Sequence, residues 1–95
     1  MNPKVQILLA TYNGECFLRE QLDSIVNQEY KYWELLIHDD GSIDDTIQIL
    51  NKYEKYYPKK IRLLIDQKIF SSASKNFFHL IQNRSKEANL YCLCD

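Results

Sequence analysis

Ile37-His38-Asp39-Asp40-Gly41-Ser42 decides how this chain is read. A short apolar run, Leu35 to Ile37 behind Trp33, stops at two adjacent acids and a glycine turn. Carboxylates are costly to bury unpaired. Open α/β sheets bind their ligands in the crevice outside the carboxyl ends of the strands. Acids at such an end are therefore candidates for reading a ligand.

Working outward, three further apolar runs read as strands: Val5 to Ala10, Ile61 to Ile65 and Leu90 to Cys94. They are nearly continuous rather than alternating, as expected for strands covered on both faces of a parallel sheet. Helical spacing lies between them. Phe17, Leu18, Leu22, Ile25 and Val26 predict one helix. Ile43, Ile47, Leu50, Tyr53 and Tyr57 predict a second, and Phe77, Phe78 and Ile81 a shorter third. Ser42 with Asp45 resembles a capping box for the second helix, with Asp in place of Glu. Pro58 ends that helix, and Ser74 can cap the third. The expected fold class is α/β, in the order β-α-β-α-β-α-β, a parallel sheet with right-handed crossovers.

Size and charge narrow the function. Ninety-five residues make one small domain or part of a larger one. With 12 basic and 13 acidic residues the net charge is −1, and no basic stripe points to nucleic acid. Lys55, Lys59 and Lys60 near Pro58 read as a solvated helix end rather than an anion site. Three cysteines, Cys16, Cys92 and Cys94, suggest no disulfide framework and hence a reducing compartment. Cys92-Leu93-Cys94 lacks zinc-knuckle spacing, so buried thiols are expected there. The amino terminus has no signal-peptide pattern and no apolar run is long enough to span a bilayer. The expectation is a soluble cytoplasmic chain, with room for association with a membrane surface.

The polar residues gather at one end of this scaffold. Strand one runs into Thr11-Tyr12-Asn13-Gly14, strand two into Asp39-Asp40, strand three into Asp66 and strand four into Asp95. The amino ends carry Lys4, Glu34, Lys60 and Asn89, a mixed set typical of solvated edges. A dinucleotide turn or a Walker loop should follow strand one, but only Gly14 is present there. An anionic ligand would then need a metal ion or cationic side chains. Asp39 can accept from an N–H or a hydroxyl, Tyr12 offers a ring face and Thr11 a hydroxyl, a set that suits a nucleoside. The local alternative is that Asp40 or Ser42 caps helix two and Asn13 stabilises the first turn.

These residues resemble the start of family 2 glycosyltransferases. The resemblance rests on Val5 to Gly14, on Leu18, Leu22, Ser24, Ile25 and Gln28, on Glu34 to Ser42, and on Asp44 with Thr46. Lys75 and Asn76, then Leu90 to Asp95, continue it. The Leu93-Cys94-Asp95 ending is most similar to bacterial enzymes of surface-polysaccharide synthesis, including rhamnosyltransferase-like proteins. The resemblance implies the Rossmann-like half of a GT-A fold and an inverting, metal-assisted transfer from a nucleotide-diphospho-sugar of UDP, dTDP or GDP type. The acceptor would be a saccharide or a lipid-linked sugar. It implies a nucleotide site of Thr11, Tyr12, Asn13, Asp39 and Asp40, with Lys75 or Asn76 near the ribose and diphosphate. Asp95 matches the first acid of the family's D-x-D motif, holding Mn²⁺ or Mg²⁺.

Two departures accompany the resemblance. Gln67-Lys68-Ile69-Phe70 stands where the family usually has a glycine turn. The chain also ends at Asp95, before the second D-x-D acid and any general base. Residues 1–95 are thus expected to be the donor-binding portion of a glycosyltransferase domain, inactive alone and peripheral to the inner face of the cytoplasmic membrane in the full enzyme. A standalone nucleotide-binding or assembly module is the alternative. A receiver-like phospho-acceptor domain fits worse, because its acid pair should follow strand one. In the sheet that the resemblance implies, strand four should lie beside strand one, and its open edge is expected to promote self-association through Leu90 to Cys94.

Overall fold

Continuous apolar strands demand cover on two faces, and the architecture supplies it. The computed structural model describes residues 3–64, 69–71, 73–84 and 90–94, with the backbone alone at 73, 74, 77 and 90–94. Its elements are β1 (Val5–Thr11), α1 (Glu15–Val26), β2 (Trp33–Asp39), α2 (Thr46–Tyr56), β3 (Ile61–Leu63), α3 (Ala73–Gln82) and β4 (Leu90–Cys94). The strands form one sheet in the order β3-β2-β1-β4. Every neighbouring pair is parallel, and β4 lies beside β1 as expected.

Alternate residues of each strand point to opposite faces. Ile7, Leu9, Leu35, Ile37 and Ile61 pack with Leu18, Leu22 and Ile25 of α1 and with Ile49 and Leu50 of α2. Leu8 and Leu36 point the other way, onto Leu80 of α3. Leu9, Leu22, Ile37 and Leu50 are fully buried. Truncating a leucine in such a position costs about 2–5 kcal/mol.

The helices differ in detail from the expected stripes. Phe17 is 75% exposed, because α1 turns Leu18, Leu22 and Ile25 inward and Phe17 falls one position off that face. Ile43 is 90% exposed and precedes its helix. The buried side of α2 is Thr46, Ile49 and Leu50. The capping box of Ser42 and Asp45 does not form: α2 begins at Thr46, and Asp45 in the cap position makes no side-chain cap bond. Pro58 lies just beyond the end of α2, as expected. Ser74 is the second residue of α3 rather than its cap. On α3, Phe78 is exposed, and Asn76, His79 and Leu80 are buried among the described side chains. Cys16 is exposed. The strand ends at Ile65 and Asp66 lie outside the described residues.

Candidate functional site

Parallel pairing in register brings the ends of β1 and β2 together, so Thr11 stands opposite Asp39. The Thr11 hydroxyl donates to Asp39 Oδ1 at 2.7 Å. The Ser42 hydroxyl donates to the same oxygen at 2.6 Å. The backbone N–H groups of Gly41 and Ser42 donate to Asp39 Oδ2 at 3.1 and 2.7 Å. A carboxylate offers about four acceptor positions, and this one has four donors. Gly41 completes the turn with φ of 84°, and a Cβ there would meet Ile69 Cδ1 at 3.0 Å.

Asp39, not Asp40, therefore braces the turn after β2. Asp40 is buried and works across the fold. Its N–H donates to the Thr11 carbonyl at 2.9 Å. Its Oδ1 accepts from the Phe70 N–H at 2.5 Å, which fixes the segment ahead of α3. Phe70, in the approximate place of the family's glycine, packs its ring 5.7 Å from His38 and 5.0 Å from His79.

The loop after β1 is laced to the loop after β2. Asn13 takes a left-handed φ of 48°, which asparagine tolerates better than most residues. Its N–H donates to the Ser42 hydroxyl at 2.7 Å, and its Oδ1 accepts from the Ile43 N–H at 2.9 Å. The Gly14 N–H donates to Thr46 Oγ1 at 3.0 Å and the Glu15 N–H to Asp44 Oδ2 at 3.3 Å. Loop two thus satisfies orphan N–H groups at the start of α1. Asp44 Oδ1 also accepts from the Thr46 N–H at 3.0 Å and its hydroxyl at 2.5 Å. The Thr46 hydroxyl holds the Asp44 carboxyl below its ordinary pKa, outweighing the opposing effect of burial.

Beneath this edge, on the α3 face, His38 Nδ1 lies 2.5 Å from Asn76 Oδ1. The amide oxygen can only accept, so Nδ1 is the protonated nitrogen in this assignment. Asn76 Nδ2 donates back to the His38 carbonyl at 3.2 Å. The His79 ring meets His38 edge-on at 4.8 Å. Asn76 is thus buried with its amide engaged by His38, while Lys75 beside it is exposed.

The structure brings Thr11, Asn13, Asp39 and Asp40 into one bonded edge, with Tyr12 61% exposed upon it. Ser42, read above as a helix cap, and Asp44 and Thr46, named above only for the resemblance, complete the edge. Their signal is the spacing of Asp44 and Thr46, since aspartate and threonine side chains hydrogen-bond neighbouring backbone at helix starts. Asp95, expected as the metal ligand, lies outside the described residues. Among the described residues no group of three or more His, Cys, Asp or Glu could hold a metal ion. Those residues do not by themselves fit a metal site. Also among the described residues, no helix is long and apolar enough to cross a membrane.

Comparison with known proteins places this edge in a family. The model of glycosyl transferase family 2 matches residues 6–87. The dTDP-rhamnosyl transferase RfbG of Shigella flexneri is 40% identical over 88 residues, covering 92% of this chain and 30% of its own length. The minor teichoic acid biosynthesis protein GgaA of Bacillus subtilis is 33% identical over 73 residues, covering 74% of this chain and 16% of its own. The chain thus spans less than a third of the length of these relatives. S. aureus TarS in complex with UDP superposes with a TM-score of 0.81 at 23% identity, covering 97% of this chain and 27% of that one. The Pyrobaculum calidifontis mannosyltransferase PcManGT, in complex with GDP-Man and Mn²⁺, gives 0.77 at 20% identity, covering 90% and 25%. The fold is that of the GT-A glycosyltransferases. This chain belongs to glycosyl transferase family 2.

Proposed function

We propose that, as a member of glycosyl transferase family 2, this chain recognises the nucleoside of a nucleotide-diphospho-sugar at the carboxyl ends of β1 and β2. The observation that carries the reading is Asp39, held opposite Thr11 at the edge and flanked by the exposed ring of Tyr12. The Thr11 and Ser42 hydroxyls that fill Asp39 Oδ1 are rotors. Turning either one frees an acceptor for a base N–H or a ribose hydroxyl, while the two backbone donors keep the carboxylate in place. Tyr12 stacks on the base. Asn13 and Asp40 contribute by fixing the two loops. Lys75 offers a cation to the diphosphate, and Asn76 positions α3 through His38.

The reading extends to inverting transfer of a hexosyl or deoxyhexosyl group to a saccharide or lipid-linked acceptor. An acceptor hydroxyl attacks the anomeric carbon, loses its proton to a base, and the bond to the nucleoside diphosphate breaks. A Mn²⁺ or Mg²⁺ ion held with the help of Asp95, the residue after β4, would supply Lewis-acid assistance to that departure. The 40% identity to a protein named as a dTDP-rhamnosyl transferase favours a dTDP-linked deoxyhexose as donor. The acceptor would bring the chain to the inner face of the cytoplasmic membrane.

Calorimetric titration with dTDP, UDP and GDP, with and without Mn²⁺, tests this. Asp39→Ala is expected to remove binding, but it also strips the brace from the turn. Tyr12→Ala is the cleaner variant. It should weaken nucleotide binding about tenfold, the scale of one base–aromatic stack, with an unchanged melting temperature. No binding of any nucleotide at millimolar concentration would refute the reading.

A further inference from the structure

The opposite end of the sheet does not match the mixed, solvated edge expected there. A cleft of about 350 Å³ opens on the α3 face at the amino ends of β1, β2 and β3. Among the described residues, Lys4, Lys59, Lys60, Arg62 and Arg84 line it, with Glu34 as the carboxylate. The Lys60 ammonium is held over the Trp33 ring at 4.7 Å and by the Lys31 carbonyl, so these residues bring to the cleft an excess of three positive charges in a chain whose net charge is −1.

The carboxylate offsets Lys4. Glu34 Oε2 pairs with Lys4 Nζ at 3.0 Å, and Glu34 Oε1 accepts from the buried Gln6 amide at 3.0 Å. Arg62 stands opposite Leu36 in the strand register, so its side chain leaves the sheet on the same face as Leu36. Both Lys59 and Arg62 are exposed. The negative end of the α3 dipole points this way, but its last carbonyls are occupied. Those of His79, Leu80 and Ile81 accept from the side chain or backbone of Asn83 and Arg84. Among the described residues, Lys59, Arg62 and Arg84 bring positive charge to the cleft. Like charges gathered in one concavity raise the local concentration of anions, and guanidinium groups suit phosphate oxygens in particular.

We propose that this cleft binds a phosphate-bearing anion through Lys59 and Arg62, at the end of the sheet opposite the nucleotide edge. Arg84 adds to the surrounding field. Two sources share this chemistry, a free phosphate or diphosphate and the headgroup of an anionic phospholipid.

The test uses the full chain without nucleotide. Inorganic pyrophosphate is titrated by calorimetry, and vesicles of phosphatidylglycerol with phosphatidylcholine are compared with phosphatidylcholine alone by co-sedimentation. Binding is expected to pyrophosphate, to the anionic vesicles, or to both. Pyrophosphate alone identifies a soluble phosphate as the source, and vesicles alone a headgroup. The double variant Lys59→Gln/Arg62→Gln should lose about tenfold in affinity or more, the scale of losing charge-assisted hydrogen bonds. The control Arg19→Gln/Lys52→Gln removes the same charge from α1 and α2 and should keep it. Backbone amide shifts of the unmodified chain report independently of any variant. With the bound probe they should centre on residues 59–62 and 83–84. Failure to bind either probe, an equal loss in the control, or shifts centred on residues 39–42 would each overturn the proposal.

Discussion

Asp39 is a ligand-reading candidate whose carboxylate is also a structural brace. Two of its four partners are backbone N–H groups with fixed positions and two are hydroxyls that can turn. That division lets one side chain both hold a turn and accept from a ligand. Gly41 is the residue the turn cannot replace. Its φ of 84° and the 3.0 Å approach to Ile69 leave no room for a side chain. Gly41→Ala is expected to cost about 1–3 kcal/mol, read as a lower urea midpoint at unchanged slope. Asp44 gives a pH-dependent signature. Its pKa in the folded chain is lowered by the Thr46 hydroxyl. Its stabilisation is therefore present above the ordinary carboxylate pKa and lost as pH falls through the lowered value. Asp44→Asn should reduce the melting temperature at pH 7, and the gap to the parent should close under acid. A constant gap down to pH 2 would contradict this assignment.

At the level of elements, the sequence pattern found every helix and the inner face of α1, Leu18, Leu22 and Ile25, but counted an exposed residue into each stripe. Phe17, Ile43 and Phe78 are apolar at nearly helical spacing yet are exposed. Periodicity counts apolar residues, and it cannot tell a core stripe from a neighbouring position that faces solvent. Asn76 and His79 erred the other way, as polar residues buried against β2 and Phe70. Only the tertiary hydrogen bond to His38 explains Asn76, and nothing local announces it. The contact between α1 and α2 also carries a polar link. The Tyr53 hydroxyl donates to Asp23 Oδ1 at 2.5 Å. Burial, reinforced by this bond and the Asp23 charge, pushes the tyrosine pKa up to about 12. A raised folded pKa means that its stabilisation is complete below the ordinary value of 10 and fades as pH rises through about 12. The parent should therefore lose stability over that interval, and Tyr53→Phe should lose less. Parallel melting curves for the two across that interval would count against the link.

The whole molecule was more legible than its helices. Parallel pairing and the acids Asp39 and Asp40 at one edge followed from where continuous apolar runs stop, and the place of β4 beside β1 from the family resemblance. Chain topology allows few alternatives once crossovers are right-handed. The basic cleft was not legible, because its cations come from β1, the turn after α2, β3 and the end of α3. No sequence window contains them together, and Lys59 and Lys60 read alone as a solvated turn. The sheet as described has β4 at one edge.

The central claim is that the carboxyl edge at Asp39 reads a nucleoside. Amide chemical-shift mapping with dTDP tests it most directly, since it reports where the ligand sits without altering any residue. Saturable shifts are expected at Thr11, Tyr12, Gly41 and Ser42, and thymidine, which carries no phosphate, should move the same residues and leave 59–62 unmoved. Shifts centred away from the ends of β1 and β2, or none at saturating nucleotide, would contradict it.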